Sequence, residues 1–528
     1  MRVSETPALV PLPQRVTPAG DAPLRLGPRP RVAVPSESLR ALGEVAVDLL
    51  RTLHGLDPVL RVGGEGDLTL LLTQDPPVAD IVRVQGIDPL DEGATGRELY
   101  ELDVREHGAT VTAASPEGLF RGATTFAQLL EPDRTGGGTA PATRIADGPA
   151  MAWRGLSLDV VRRFFTVGQV KKVIDLLALY KFNVLHLHLS DSQAWRLEIS
   201  RWPRLTGDAE RPFYTRDDYR EIVAYAAARF VTVVPELDMP GHVLAAVRAY
   251  PELQGDAEPP HRYLAYLDPR AEVTFRFVQD VLQEVAALTP GPYLHLGGDE
   301  AFGMPEELYR AFVVRALEIA RGTGKKVAGW QEIARSGALT SADVAQAWIG
   351  AGDEFDLEAA REKTPAEYHS LLEIVAETFA RSVHDVPAAV AAGAPVLASA
   401  SSVLYLDRQY AEESLLAAQT ARRTQVGHDS YEPRTCRELF AWSPSTLAEI
   451  PDAARLAGVE AAIWCETVAG FDDLTFLLLP RLAGIAEKAW TPSRTQWDGY
   501  RARVARHGDW WSRLGLDGYY RSADVFAS

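Results

Sequence analysis

WRGLSLDV at residues 153–160, NVLHLHLSD at 183–191, VVPELDMPGH at 233–242 and YLHLGGDE at 293–300 share one pattern. Each is a short, nearly continuous apolar run that leads into polar and acidic residues. Such runs, alternating with amphipathic helical stretches, mark parallel βα units whose strands are covered on both faces. Continuing to the C-terminus, the spacing predicts eight strands: Arg154 to Val160, Val184 to Leu189, Val231 to Leu237, Tyr293 to Gly297, Lys326 to Trp330, Val344 to Trp348, Pro395 to Ala400 and Ala461 to Cys465. Helical patterns at Val167 to Tyr180, Arg216 to Ala228, Glu272 to Ala287, Pro305 to Arg321 and Asp473 to Trp490 fall between or after them. Eight such units specify an α/β fold, a (β/α)8 TIM barrel with long insertions, where a doubly wound sheet would rarely need so many strands.

Outward from this core, residues 1–150 mix alternating runs (Leu68 to Thr73, Tyr100 to Arg105, Ala109 to Ala113) with helical spacing at Val45 to Leu53 and Pro116 to Leu130. They read as a small α+β domain preceding the barrel. Thr135 to Thr139, with three consecutive glycines, followed by Pro141 and Pro149, reads as a linker. The expected organisation is an N-terminal domain at 1–150, a catalytic barrel at 151–505 and a tail at 506–528 packing on the barrel. The stretch Gly350 to Gly393 is an acidic amphipathic insertion placed to shape a pocket rim or an oligomer contact.

The 528 residues carry 54 Lys plus Arg against 72 Asp plus Glu, a net charge of -18, which a phosphate backbone would repel; no nucleic-acid partner is expected. Two cysteines, Cys436 and Cys465, can build neither a disulfide framework nor a cysteine-based zinc site. Met1 to Val16 holds three prolines and no apolar signal core, and no apolar run is long enough for a membrane span. The expectation is a cytoplasmic chain, or a secreted one whose leader has been removed, without membrane association. Eleven tryptophans, several beside carboxylates, suit a sugar pocket.

Barrel function resides at the C-terminal ends of strands, and there the residues are lopsided. Asp191 follows the second strand, Glu236, Asp238 and His242 the third, Asp299 and Glu300 the fourth. Trp330 and Glu332 end the fifth, Trp348 the sixth, Tyr405 and Asp407 follow the seventh, and Trp464 and Glu466 end the eighth. Arg154 begins the first strand region, as a site residue or as a structural ion-pair partner inside the barrel. His186 and His188 read as packing rather than a metal pair, since no third ligand lies nearby. Trp195, Trp202, Trp442, Trp490, Trp510 and Trp511 read as structural.

The adjacent pair Asp299 and Glu300 is the most informative. Two-carboxylate glycosidases place their carboxyls about 5–9.5 Å apart across the scissile bond, whereas chain neighbours have Cα atoms only ~3.8 Å apart. If one is the acid, the other is poorly placed as nucleophile. A substrate's own 2-acetamido oxygen can supply the nucleophile instead, if a carboxylate holds the amide N–H and a tyrosine holds the carbonyl oxygen.

WRGLSLDV, NVLHLHLSDSQAWRLEI, VVPELDMPGH, YLHLGGDE, the GW and QAW segments, LYLD, IWCET and PRLAGIAEKAW resemble, in that order, the glycoside hydrolase family 20 β-N-acetylhexosaminidases. The resemblance covers essentially residues 150–500, and GLFRGATTFAQLL (118–130) is similar to the α+β domain preceding this family's barrel. It implies a retaining exo-enzyme that removes terminal GlcNAc or GalNAc through an oxazolinium intermediate. Glu300 would be the acid and then base, Asp299 would hold the acetamido nitrogen, and Tyr405 the acetamido oxygen. Trp330, Trp348 and Trp464 would wall the pocket. Arg154, Asp191, Asp407 and Glu466 would bind ring hydroxyls, with His242 beside Asp191. The resemblance implies no metal and no organic cofactor; the partners are a glycan substrate and, optionally, a second copy in a homodimer. One segment departs from the family's usual WHLTDDQGW: Leu187, Ser192 and Ala194 replace Trp, Asp and Gly, putting fine substrate preference in doubt more than activity.

Overall fold

A parallel sheet covered on both faces leaves its strands no solvent side, so every position must be apolar or paired. The computed structural model describes residues 7–527 except 21, 76–77, 79–82, 91–95, 209, 257–260, 262–263, 351–354, 452–453 and 493, and meets that demand. Strands Trp153–Asp159, Val184–His188, Thr232–Glu236, Tyr293–His295, Lys326–Trp330, Val344–Ala347, Val396–Ala398 and Leu456–Ile463 form one closed parallel barrel. Closure comes from the pairing of the first strand with the eighth, from Trp153 opposite Gly458 to Leu158 opposite Ile463.

The barrel interior is built in layers, because side chains two residues apart share a face. Trp153, Val184, Val234, Tyr293, Ala328, Val344, Leu397 and Ala457, joined by Ile87 from the N-terminal region, plug the bottom. Two residues further along the strands, the buried side chains are His186, Glu236, His295, Trp330 and Gln346. Another two residues up, His188, Asp238 and Trp348 face the C-terminal mouth. An apolar plug, a buried polar layer and an open site thus follow one another along the axis.

Outer helices start where the sequence supplies caps. Thr166 with Gln169 and Thr215 with Asp218 form capping boxes for Val167–Leu179 and Arg216–Ala227, each satisfying backbone donors the first turn leaves free. The stretch expected as one helix from Asp473 to Trp490 is two, Phe471–Leu478 and Arg481–Trp490. Pro480 separates them, since proline has no N–H and its ring clashes with the preceding turn.

The N-terminal region forms a seven-stranded sheet ordered Arg15–Pro18, Thr143–Asp147, Tyr100–Arg105, Gly108–Ala113, Leu68–Leu72, Arg31–Val34, Val59–Val62. Helices Arg40–His54 and Pro116–Leu129 pack on it. The second is buried from Glu117 to Leu129 between sheet and barrel, with Gln128 Nε2 donating to Leu179 O at 2.8 Å. Gly122 allows this approach, because a Cβ there would lie 2.2 Å from the Val111 side chain. The glycine-rich stretch expected as a linker is instead part of a small antiparallel sheet of Leu24–Leu26, Glu131–Pro132 and Gly138–Ala140. The crossing to the barrel falls after Asp147. At the C-terminus, Trp511 donates its indole N–H to Tyr180 at 2.8 Å, and His507 meets Ala8 O at 2.7 Å.

The insertion after the sixth strand contains helices Leu357–Lys363, His369–Arg381 and Asp385–Ala391; its residues 351–354 lie outside the described residues. No helix among the described residues is long and apolar enough to cross a membrane.

Candidate active site

A pocket of about 590 Å³ opens at the C-terminal mouth, where the strand ends bring together Arg162, Asp191, His242, Asp299, Glu300, Trp348, Tyr405, Asp407, Trp464 and Glu466. Its deepest feature is the turn after the fourth strand. Gly297 and Gly298 adopt φ of 65° and 102°; a Cβ on Gly297 would lie 1.8 Å from Asp238 Oδ1, and one on Gly298 2.3 Å from Ile333. The chain can therefore double back beneath Asp238 only with glycine at both positions. Glu300 (φ 46°) and His242 (φ 53°) are themselves left-handed non-glycine residues, a conformation that concentrates at functional sites.

Asp299 is buried, and its Oδ1 completes no hydrogen bond among the described residues. Burial, opposed by His242 and reinforced by the charge of Glu300, pushes its carboxyl up to about 6. Asp238 next to it is pushed well above the carboxylate range by burial and by the charge of Asp299. The proton of this pair therefore resides on Asp238, which presents it to Asp299. Glu300 is the more open of the two adjacent acids, its side chain 27% exposed, with Oε2 3.4 Å from His242 Nε2.

His242 links the carboxylates. Its Nδ1 lies 3.2 Å from Asp191 Oδ1 and its Nε2 3.6 Å from Asp299 Oδ2. Burial opposes its charge, yet Asp191 and then Asp299 hold it protonated, well above the usual histidine value. Asp191 also accepts from His188 Nε2 at 2.9 Å and pairs with Arg162 at 2.7 Å. Despite burial, His242 and Arg162 keep it ionised far below the usual range.

On the opposite wall Tyr405 stacks parallel to Trp348 (6.4 Å, 10°) and edge-on to Trp464 (6.1 Å). Trp348 is fixed by its indole N–H, 3.1 and 3.2 Å from the two Glu332 oxygens. Burial, then the charges of Asp299 and Asp385, push the Glu332 carboxyl well up. Neither oxygen of the buried Asp407 completes a hydrogen bond among the described residues. Burial and then the charge of Glu466 push this carboxyl up to about 8, so near neutrality it can donate as well as accept.

Two sequence expectations need correction. Arg154 is absent from the pocket: it is the second residue of its strand, at the barrel's bottom, where it donates to Met151 O and Lys181 O and pairs with Glu98 at 2.5 Å. Arg162, just past the end of the same strand, occupies the mouth instead, pairing with Asp191 and Glu466 and lying 5.3 Å from the Trp464 ring centre. Trp330 lines nothing either. It is 1% exposed, donates to Glu236 Oε1 at 2.8 Å and packs 5.9 Å from Trp464, whose ring it supports from the layer below.

His186 and His188 are not simple packing. His186 bridges Glu460 (2.8 Å) and Glu236 (3.0 Å), and His188 bridges Glu236 (2.7 Å) and Asp191. A continuous chain of charged groups thus climbs from the barrel's middle to His242. Three groupings in this region, His186 with Glu236 and His295, His188 with Glu236 and Asp238, and Asp238 with His242 and Asp299, bring potential metal-binding atoms within 4.8 Å of one another. Their members already pair as hydrogen-bonded or oppositely charged neighbours. Loop residues Tyr431 and His428 complete the rim; nothing in their sequence context singles them out. In the second-strand loop, Leu187 and Ala194 are buried and Ser192 N donates to Asp191, so the departures there leave Asp191 in place.

An acidic pair in an aromatic-walled pocket at the mouth of a (β/α)8 barrel defines the class, a glycoside hydrolase. The model of the glycosyl hydrolase family 20 catalytic domain matches residues 151–493, and that of the family's domain 2 matches residues 6–148; the chain belongs to glycosyl hydrolase family 20. It is 38% identical over 496 residues to a beta-N-acetylhexosaminidase of Cellulomonas fimi, spanning 90% of this chain and 88% of that one. Among solved structures it resembles the Streptomyces plicatus N-acetyl-beta-hexosaminidase in complex with Thio-NAglucal (TM-score 0.80, 34% identity, 99% and 98% of the two chains). The GH20 beta-N-acetylhexosaminidase of Streptomyces coelicolor A3(2) is similar at the same TM-score (35% identity, 98% and 99%).

Proposed function

We propose that the protein is a retaining exo-β-N-acetylhexosaminidase that removes terminal GlcNAc or GalNAc by substrate-assisted catalysis. The observation that carries this reading is the buried Asp299, one oxygen unsatisfied, beside the more open Glu300 in the pocket that Tyr405 also lines. Asp299 accepts the acetamido N–H, and Tyr405 donates to the acetamido oxygen and aims it at C1. As that oxygen bonds to C1, the C1–O bond to the leaving group breaks and Glu300 passes its proton to the departing oxygen. Positive charge grows on the acetamido nitrogen, so the Asp299 bond strengthens in the transition state. Glu300 then takes a proton from a water that attacks C1 and reopens the oxazolinium ring. Two inversions give net retention.

Arg162, Asp191, Asp407 and Glu466 are the groups available to the ring hydroxyls, and Trp348 and Trp464 to the acetamido methyl and sugar face. A variant of the S. plicatus enzyme in complex with product GlcNAc is among the similar structures (TM-score 0.80, 33% identity), which supports the same sugar here. Hydrolysis of a chromogenic GlcNAc β-glycoside, with the β-anomer released first and the matching glucoside left intact, is the expected result. A covalent sugar trapped on an enzyme carboxylate refutes the scheme.

A further inference from the structure

The insertion between the sixth and seventh strands packs on the barrel through its third helix, Asp385–Ala391, whose Val386 joins Ala347 and Val396 of the barrel strands, whereas its first two helices stay off the barrel wall. Neither the Leu357–Lys363 helix nor the His369–Arg381 helix has a single buried residue, although the second repeats apolar side chains at helical spacing. The two helices lie across the mouth. Arg381 pairs with Glu306 at 3.1 Å, six residues beyond Glu300, and Tyr368 meets His261 of the loop after the third strand edge-on at 5.9 Å. Phe379 packs edge-on against Trp348 at 5.7 Å and beside Phe355 at 5.7 Å. Phe355, Ala359, Ala360, Lys363 and Phe379 all line the same pocket as Asp299 and Glu300.

At about 590 Å³ this pocket is within the range of roughly 300–1,000 Å³ that encloses drug-sized ligands, room for more than one sugar ring. The deep part is occupied by groups that suit a single N-acetylated ring. The outer part has a different chemistry: two phenylalanine faces and two alanines form an apolar shelf, and Lys363 provides donors at its edge. Flat apolar surface flanked by donors matches a pyranose, which has an apolar face and hydroxyls around its rim. Glu300, the more open carboxylate, must face the glycosidic oxygen, so whatever that oxygen carries lies outward, on the side where Arg381 ties the insertion to the Glu300 loop.

We infer that the insertion builds a leaving-group subsite for a second pyranose, making β-linked oligosaccharides rather than simple alkyl or protein-linked glycosides the preferred substrates. This rests on the proposed hexosaminidase activity and adds a binding site to it. Remote contacts with a leaving sugar serve the reaction only when realised in the transition state, so they appear in kcat/KM.

The test compares N,N′-diacetylchitobiose with methyl N-acetyl-β-glucosaminide, which lacks the second ring. Ala359→Trp fills the shelf and should lower kcat/KM on the disaccharide by roughly tenfold or more while changing the methyl glycoside less than about threefold. Phe355→Ala, which removes one face of the shelf without adding bulk, should act in the same direction and decides the matter if the larger substitution unfolds the chain. Equal changes on both substrates in a variant whose thermal melting is unaltered, or no change on either, overturn the subsite. Failure of the wild-type enzyme on both substrates would instead strike the hexosaminidase reading itself.

Discussion

Glu300 and Asp299 are chain neighbours to which the proposed mechanism gives opposite tasks, and their surroundings separate them. Glu300 opens to the leaving-group side, where it can reach both sugar oxygen and water, whereas Asp299 is enclosed and receives the proton of Asp238. Glu300→Gln should cut turnover of poor leaving groups by about 10²- to 10⁴-fold, the usual contribution of general acid catalysis, while activated aryl glycosides lose less; equal losses on the two kinds of substrate would remove Glu300 from the acid role. Asp299 must be ionised to hold the amide N–H, and its carboxyl titrates at about 6. Activity therefore requires a pH above that value, and kcat/KM should fall as pH drops through about 6. In Asp299→Asn that acidic limb should vanish from a much reduced profile; its persistence would assign the limb to another group. Both residues were readable in HLGGDE only together with the ordered motifs around it, since two adjacent acids after a barrel strand can equally be a solvated loop or a pair that complements a helix dipole. Arg162 was missed and Arg154 chosen in its place, although position along the strand separates them: catalytic groups gather past the C-terminal end, and Arg154 stands at the beginning.

The strands were legible to within a few residues because a doubly covered strand must be apolar throughout, and nothing else in the chain has that texture. What misled were elements whose shape depends on partners. Thr135 to Thr139 has the composition of a linker, but Gly137 is glycine because a Cβ there would meet Leu26 O at 2.0 Å, a contact invisible without the neighbouring strand. His186 and His188 were equally opaque, since their meaning comes from Glu236 and Glu460 on other strands. Burial works against a charge on His186, but Glu236 and Glu460 overcome it and raise its value to about 9. An unfolded histidine titrates near ~6.5, so the folded state gains stability that is complete below that pH and is lost as pH rises through about 9. Melting temperature should decline between these limits, and His186→Asn should make the decline shallower. An unchanged slope in the variant would place the titration elsewhere.

Across the whole molecule, the N-terminal sheet and the barrel meet through a buried charge cluster. Glu98 accepts from Arg121 at 2.8 Å and pairs with Arg154 at 2.5 Å, all three shielded from solvent. Removing one member leaves an uncompensated buried charge, which typically costs about 3–5 kcal/mol, although replacing a whole ion group by apolar residues can be neutral. Glu98→Gln should therefore lower the melting temperature markedly while kcat and KM of the folded fraction stay near wild type. A large rise in KM without loss of stability would return Arg154 to the sugar site. The same interface explains the helix Pro116–Leu129, buried from Glu117 onward, whose polar side chains Glu117, Arg121 and Gln128 meet protein partners instead of water.

Substrate-assisted catalysis requires that the nucleophile belong to the substrate. Fluorine on the acetamido methyl withdraws electrons from the carbonyl oxygen and weakens its attack on C1 without altering the leaving group. In a series of aryl β-glycosides carrying N-acetyl, N-fluoroacetyl, N-difluoroacetyl and N-trifluoroacetyl groups, kcat/KM should fall steeply with each fluorine. A flat series, with the trifluoroacetyl substrate turned over as fast as the parent, would contradict substrate assistance and require a nucleophile from the enzyme.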